Sequence, residues 1–211
     1  MGIAYSDLQR QKNTSAWTVT GGVHVTTLFP TLGDVSGRNQ PPAPFYLFEE
    51  DNNGNTKIMS RPMPEEGQNP NITTLWQCWF QFPSTVGVSD LYFIIANQQN
   101  LDISDANIRG YACFAAPTAN IIRIARLNGG GGMTILGAGY NWNPADTNLH
   151  SMAMTREVSG ANRFWRLYFD GAFVEVTASD ATYTDFGWWG FYYATGGATR
   201  RIIFGGEMCQ S

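Results

Sequence analysis

The pair Asp170-Gly171 does most to limit what this chain can fold into. It lies between two strand-like runs, residues 163–169 and 172–178. Asp-Gly at the centre of a two-residue loop is a strong hairpin signal, because both positions need positive φ, which Asp tolerates and Gly adopts freely. A loop made of these two residues sets a register: Phe169 faces Ala172, Tyr168 faces Phe173, Leu167 faces Val174, Arg166 faces Glu175 and Trp165 faces Val176. Alternate residues of a strand point to opposite faces. One face then holds Trp165, Leu167, Phe169, Ala172, Val174 and Val176, all apolar. The other sets Arg166 against Glu175 and Tyr168 against Phe173, cross-strand pairs of favourable kinds. A slip of one residue would turn Arg166 and Glu175 into the core, so the pattern argues for its own register.

The rest of the chain has the same character. Among 211 residues are 23 Gly and 10 Pro, with 14% aromatic and 14% charged residues. That charge is well below the usual quarter. Short Val/Ile/Thr/Phe/Tyr/Trp runs alternate with Gly, Asn, Asp and Pro clusters, and no long amphipathic helix stands out. Strands are predicted over 73–82, 90–97, 110–116, 120–127, 133–138, 149–158, 163–169, 172–178, 187–193 and 200–205. Residues 17–29 read as a strand or bulged pair, and Gly129 to Gly132 as a turn. Asn53-Gly54 predicts a second hairpin pairing Glu50 with Lys57, Phe48 with Met59 and Tyr46 with Arg61. The expected fold is an all-β antiparallel sandwich of about twelve strands. It forms one domain over residues 17–211, preceded by a polar arm or loosely docked terminus at 1–16.

The net charge of −4 argues against nucleic acid, which needs clustered basic residues, and Lys12 and Lys57 are the only lysines. No run approaches the roughly 18–20 apolar residues of a membrane span. The start lacks an apolar signal-peptide core, so synthesis in a host cytoplasm without a signal peptide is expected. Cys78, Cys113 and Cys209 make an odd count. Buried free thiols account for Cys78 and Cys113; a Cys78–Cys113 bridge is the alternative. No Cys/His spacing forms a zinc site, and residues 51–55 lack the twelfth-position glutamate of a calcium loop.

From Thr73 onward the order of features resembles the concanavalin A-like lectin/glucanase sandwich, in its laminin G-like branch. The residues that carry it are Leu75-Trp76-Gln77-Cys78-Trp79-Phe80, the strand from Leu149-His150 through Ala153 to Arg156, Leu167-Tyr168-Phe169-Asp170-Gly171, and the closing Ile202-Ile203-Phe204-Gly205. The resemblance spans residues 73–206 and implies a jelly roll. That family includes glycan lectins, adhesion modules, hydrolases and virion parts, so fold alone does not select a function. Its members often bind calcium at a loop rim, but no ligand set maps onto this chain, and no cofactor is assigned.

Hydrolases of that family carry carboxylates on alternate residues of one strand, a string absent here. Asp180 and Asp185 flank a short aromatic loop and are the nearest approach to a pair of the kind glycoside hydrolysis uses. His150 fits a strand position better than a base. No catalytic residue is assigned. Sugars are held by aromatic faces beside Asn and Asp, and two loops have that chemistry. One carries Tyr140, Asn141, Trp142, Asn143 and Asp146; the other carries Tyr183, Asp185 and Trp188. The competing reading places Trp188, Trp189 and Phe191 in the core, and leaves the exposure of Trp142 open. Interface anchoring is a third use of such aromatics. The expectation is a non-catalytic binding or structural module on a virion surface, as capsid decoration or tail component. Its partners would be glycans or other assembly proteins, and it would be oligomeric or assembly-bound. The alternative is a glycoside hydrolase with a divergent site.

Overall fold

The computed structural model describes residues 3–5, 18–20, 23–25, 45–49, 56–82, 89–193 and 201–210. Among the described residues, fifteen strands run in chain order. The first eight are β1 (Ile3–Tyr5), β2 (Thr18–Thr20), β3 (Val23–Val25), β4 (Phe45–Glu49), β5 (Lys57–Pro62), β6 (Thr74–Gln81), β7 (Leu91–Ala96) and β8 (Gly110–Ala116). The rest are β9 (Ile121–Gly129), β10 (Gly132–Asn141), β11 (His150–Ser159), β12 (Asn162–Phe169), β13 (Ala172–Val176), β14 (Trp188–Tyr193) and β15 (Arg201–Gln210). One helical turn, α1 (Glu65–Gln68), sits between β5 and β6.

The strands form two antiparallel sheets. The first runs β13-β12-β11-β6-β15-β4-β3, with β1 also paired to β15; the second runs β10-β9-β8-β7-β14-β5-β2. The chain passes repeatedly from one sheet to the other, as expected for a jelly-roll sandwich. Between the sheets lies the main core. Trp76, Cys78 and Phe80 of β6, Met152 and Met154 of β11, and Trp165 and Leu167 of β12 meet Phe93, Tyr111, Cys113, Trp189 and Phe191 of the second sheet. The Trp165 and Tyr111 rings stack with centroids 4.0 Å apart. Burying each large apolar side chain of this set contributes roughly 1.5–3 kcal/mol.

The sheets differ on their outer faces. On the second, Tyr92, Ile94, Ala112, Phe114 and Ala125 form a further buried cluster, partly covered by Leu101 and Ile108 of the β7–β8 connection. Strands β7 and β8 are buried along their whole length. In the first sheet, β6 alternates between buried and half-buried positions, as does β12 after its exposed first residue Asn162. Its outer face is therefore the one available for a site.

The Asp170-Gly171 turn forms with φ of 49° and 78°. Phe169 faces Ala172 and Tyr168 faces Phe173 as the turn requires. A bulge then shifts the register, so that Leu167 faces Glu175 and Arg166 faces Val176. Arg166 instead pairs with Glu157 of β11 at 2.5 Å. Glu175 turns toward β10 and accepts the Ala138 and Gly139 amides at 3.0 and 2.8 Å. Val176 is consequently exposed rather than part of the dry face.

The second predicted hairpin is not formed. Asn53-Gly54 lies outside the described residues, but β4 pairs with β15 and β3, whereas β5 pairs with β14 and β2 in the other sheet. The reason is burial. Five of the six β5 residues are buried, Lys57 and Arg61 among them, so β5 takes an interior place in the second sheet. A two-stranded hairpin with one wet face would not bury both faces of that strand. The three cysteines are free and buried, with no Cys78–Cys113 bridge.

Candidate functional site

The first sheet carries a trough on its outer face. Its floor is β11, where small residues alternate with large ones. Met152 and Met154 point into the core, and Ser151, Ala153 and Thr155 point out. The two neighbouring strands supply the walls. Across the ladder, Gln77, Ala153, Tyr168 and Phe173 form one rung, and Leu75, Thr155 and Arg166 form the next. With strands about 4.8 Å apart and about 3.4 Å per residue, small side chains over Ser151–Thr155 open a hollow roughly 10 Å wide and 13 Å long.

The cavity is about 390 Å³, lined by Thr73, Leu75, Gln77, Ser151, Ala153, Thr155, Tyr168, Gly171 and Gln210. That volume lies within the ordinary range for small-molecule sites. Its exposed lining is mostly apolar; four of the nine residues carry hydroxyls, two carry carboxamides, and none carries a formal charge. At the rim Phe173, 53% exposed, meets Tyr168 edge-on at 5.8 Å. Arg166 lies over the Phe173 ring at 5.6 Å, with its charge matched by Glu157.

The head of the trough is held by Asp170 and His150. Asp170 Oδ1 accepts the Ser151 amide and its Oδ2 meets His150 Nδ1, both at 2.9 Å. The Asp170 amide donates to the Ser151 carbonyl at 2.9 Å. His150 is buried and stacked on Phe169 at 5.0 Å. Its Nε2 lies 3.4 Å from Asp146, an ion-pair distance too long for a good hydrogen bond. The residue that ends the first hairpin thus also fixes where β11 enters the sheet.

The eight loop residues proposed for sugar contact do not form one site. Tyr140 and Asn141 pair with Ile122 and Ile121 at the start of β9, whereas the loop after Asp180 is tied to Arg126 near its end. The two groups lie roughly 15 Å apart along that strand. At the first end Tyr140 is exposed and stacked on Phe169 at 4.9 Å, and Asn141 and Asn143 are exposed. Asn143 accepts the Ala145 amide through its side chain, and Asp146 accepts that of Asn148.

Trp142 departs from the sugar-platform expectation. It is 4% exposed, packed edge-on against Phe80 at 5.7 Å and on Phe82 at 5.5 Å. The bracketing Asn residues turn outward and the indole turns in. At the second end Asp185 is exposed, Tyr183 packs on Tyr111 at 6.2 Å, and Trp188 is half-buried against the outer cluster of the second sheet.

Asp180, the other carboxylate of that loop, is fully engaged. It accepts from the Tyr111 hydroxyl at 2.8 Å, from Arg126 at 2.6 Å and from the Thr182 amide at 3.0 Å. Burial pushes its pKa up, but these donors outweigh it and hold the carboxyl below the usual aspartate range. Burial and the same carboxylate push the Tyr111 phenol up. Among the described residues no three His, Cys, Asp or Glu side chains are arranged to hold a metal ion.

The signal for the trough was present in the sequence. Ser-Met-Ala-Met-Thr over 151–155 alternates small and large, and Thr73, Leu75 and Gln77 alternate with buried residues of β6. A site on a sheet face is marked by what its side chains lack in size, and searching for aromatic loops passes over it.

No family model and no curated protein matches this chain. Solved structures match its fold. A legume lectin-like domain from Entamoeba histolytica superposes with a TM-score of 0.65 at 8% identity, covering 100% of this chain and 96% of that one. The binding domain of botulinum neurotoxin DC, solved in complex with rat synaptotagmin II, gives 0.57 at 9% identity over 92% of this chain. A structure of the same toxin's binding domain in complex with SialylT gives 0.55 at 8% identity over 92% of this chain. This chain spans 42% of the length of those two toxin chains. The fold is a jelly-roll β-sandwich of the concanavalin A-like kind.

Proposed function

We propose that this chain is a non-catalytic glycan-binding module that holds a neutral oligosaccharide along the outer face of the first sheet. The observation that carries this reading is the uncharged trough over Ser151, Ala153 and Thr155. Hydroxyls and carboxamides both donate and accept, which suits a ligand made of hydroxyl groups. Tyr168 and Phe173 add aromatic surface at the rim. The lectin-like neighbour, and the toxin binding domain bound to SialylT, favour binding over chemistry. Tyr140, Asn141 and Asn143 are exposed as well, but apart from the trough, where Tyr140 of the second sheet stacks on the core-facing Phe169.

The hydrolase alternative has less behind it. No carboxylate lines the trough, and Asp180 is committed to Tyr111 and Arg126. Display on a virion surface, with other assembly proteins as partners, is the finer form of the proposal. It rests on the sequence alone: a lectin-like fold without the carboxylate string, and a polar opening segment. Electron microscopy of native particles, with labelled antibody to this chain, tests that form.

The site itself is tested on a glycan array. Ala153→Phe fills the floor of the trough without altering the buried face of β11. Binding to a neutral oligosaccharide by the wild type, lost at least tenfold in Ala153→Phe and in Tyr168→Ala, supports the reading. Binding that survives Ala153→Phe places the site elsewhere. Hydrolysis of the bound sugar would replace the binding reading with an enzymatic one.

A further inference from the structure

Resting on the glycan reading above, we infer that the hollow over Ala153 is an acetamido pocket, and that the sugar held in the trough is an N-acetylhexosamine rather than a plain hexose. On the outer face, one rung of the ladder sets Ala153 between Gln77 and Tyr168. The next sets Leu75 between Gln210 and Thr155. The Ala153 methyl, the Leu75 side chain and the Thr155 methyl thus form one apolar patch, with polar groups standing around it.

Those polar groups are unspent. Ser151 and Thr155 are 6% and 9% exposed, yet among the described residues neither hydroxyl has a hydrogen-bond partner; nor does the Gln77 carboxamide or the Tyr168 hydroxyl. At the margins of the hollow the polar groups are already used. Gln81, on the same face of β6, donates to the Thr147 carbonyl at 2.7 Å, and Thr73 accepts the Val158 amide at 3.2 Å. A buried polar group without a partner is costly, so a ligand seated over Ala153 gains by supplying one.

An acetamido group matches both halves of this arrangement. Its methyl covers the apolar patch, where the lone hydroxyl of a hexose would lose water and meet only carbon. Its amide is planar and trans, so the N–H and the carbonyl point opposite ways and need partners on two sides. Gln77 and Tyr168 stand on opposite sides of Ala153, on strands roughly 10 Å apart. The Gln77 carboxamide accepts the N–H and the Tyr168 hydroxyl donates to the carbonyl. No lining residue carries a charge, so a sugar bearing a carboxylate or a free amine finds no counter-ion here.

Matched pairs of sugars that differ only at C2 test the pocket on the unaltered chain: tri-N-acetylchitotriose against cellotriose, and N-acetylgalactosaminides against galactosides. The acetamido member of a bound pair is expected to bind at least about tenfold tighter, the discrimination that one small apolar group earns in a fitted hollow. Gln77→Leu keeps the size of this half-buried position and removes its polar atoms. It should weaken the acetamido member roughly fivefold and leave the hexose unchanged. An unaltered melting temperature would show that the variant folds. A hexose that binds as well as its acetamido counterpart, or an equal fall of both in Gln77→Leu, overturns the inference and leaves the glycan reading standing. Silence across every glycan tried overturns both.

Discussion

Each end of the sandwich is fastened by an aspartate, and the two aspartates join different things. Asp170 works within one sheet, linking the β12–β13 turn to His150 and Ser151 on the adjacent strand. Asp180 works between sheets. Its amide donates to the Arg163 carbonyl of β12 at 2.8 Å, while its carboxylate reaches Tyr111 of β8 and Arg126 of β9. Those partners lie 69 and 54 positions away in the chain. A turn inside a sheet is specified by the backbone dihedrals of its two central residues and needs little more. A crossover between sheets must satisfy its polar groups with whatever the other layer presents, so its bonds are long-range and its environment tight.

The largest contrast is expected between two glycines. Gly129, in the turn leading to β10, has φ of +84°, and a methyl group there would stand 2.1 Å from Arg109 Nη1 and 2.3 Å from the Ala106 carbonyl oxygen. The arginine end can swing away; the carbonyl cannot. Gly129→Ala should therefore lose about 2–4 kcal/mol, strain and overlap together, measured by urea denaturation. A loss below about 1 kcal/mol would show that the second end is no tighter than the first.

Removing Asp180 comes next. Asp180→Ala removes the carboxylate that accepts from Tyr111 and Arg126, leaving Tyr111 only the residue-180 carbonyl at 3.3 Å and Arg126 only its neutral partners, and should cost about 2–3 kcal/mol. Its pH dependence has a definite sign. The folded carboxyl lies below the usual aspartate range, so its contribution is complete above the unfolded value near 3.9 and disappears as pH falls through the depressed folded value. The stability gap between wild type and Asp180→Asn should narrow as the solution is taken below about pH 4. A gap that widens there would mean that another group braces this end.

Asp170→Ala should cost less, about 1–2 kcal/mol, because it removes two local acceptors from a ladder that otherwise stays intact. Strand β11 keeps its pairing with β6 and β12 over the length of β12. Faster amide exchange at Ser151, with the Trp165–Tyr111 region unchanged, would locate the damage. A loss equal to that of Asp180→Ala would erase the distinction between the two ends.

The same distinction explains what could be read from the chain. Strand positions from Thr73 onward and the Asp170-Gly171 turn are local properties and were legible. So was the role of Trp165 and Leu167 on a dry face. The partner of Arg166 was not: a bulge in β13 hands it to Glu157, and bulges leave no simple mark in an apolar alternation. Asn53-Gly54 carried as good a turn signal as Asp170-Gly171, yet its flanking strands went to different sheets. Turn chemistry reports that the chain reverses, and burial of β5 on both faces decides which neighbour it meets. Trp142 shows the limit at the site. Flanking Asn and Pro describe the backbone of a loop, whereas the indole followed the cavity beside Phe80 and Phe82.

The smallest effect is expected where the constraint on the fold is greatest. Gly171 has φ of +78°, and a methyl group there would meet nothing within 4 Å. Gly171→Ala therefore adds only backbone strain, about 1 kcal/mol, or roughly 2–4 °C in melting temperature for a chain of this size. The hairpin should survive, because β12 is also held by eight paired positions on β11. Calorimetry of Gly171→Ala beside Gly129→Ala isolates the cause, since the two sites share a positive φ and differ in free space. Equal losses would assign the whole effect to φ and none to packing. A melting temperature lowered by more than about 10 °C at Gly171 would mean that the turn holds the ladder together. The expected small shift means the converse: the turn chooses the register, and the ladder and the core beneath it supply the stability.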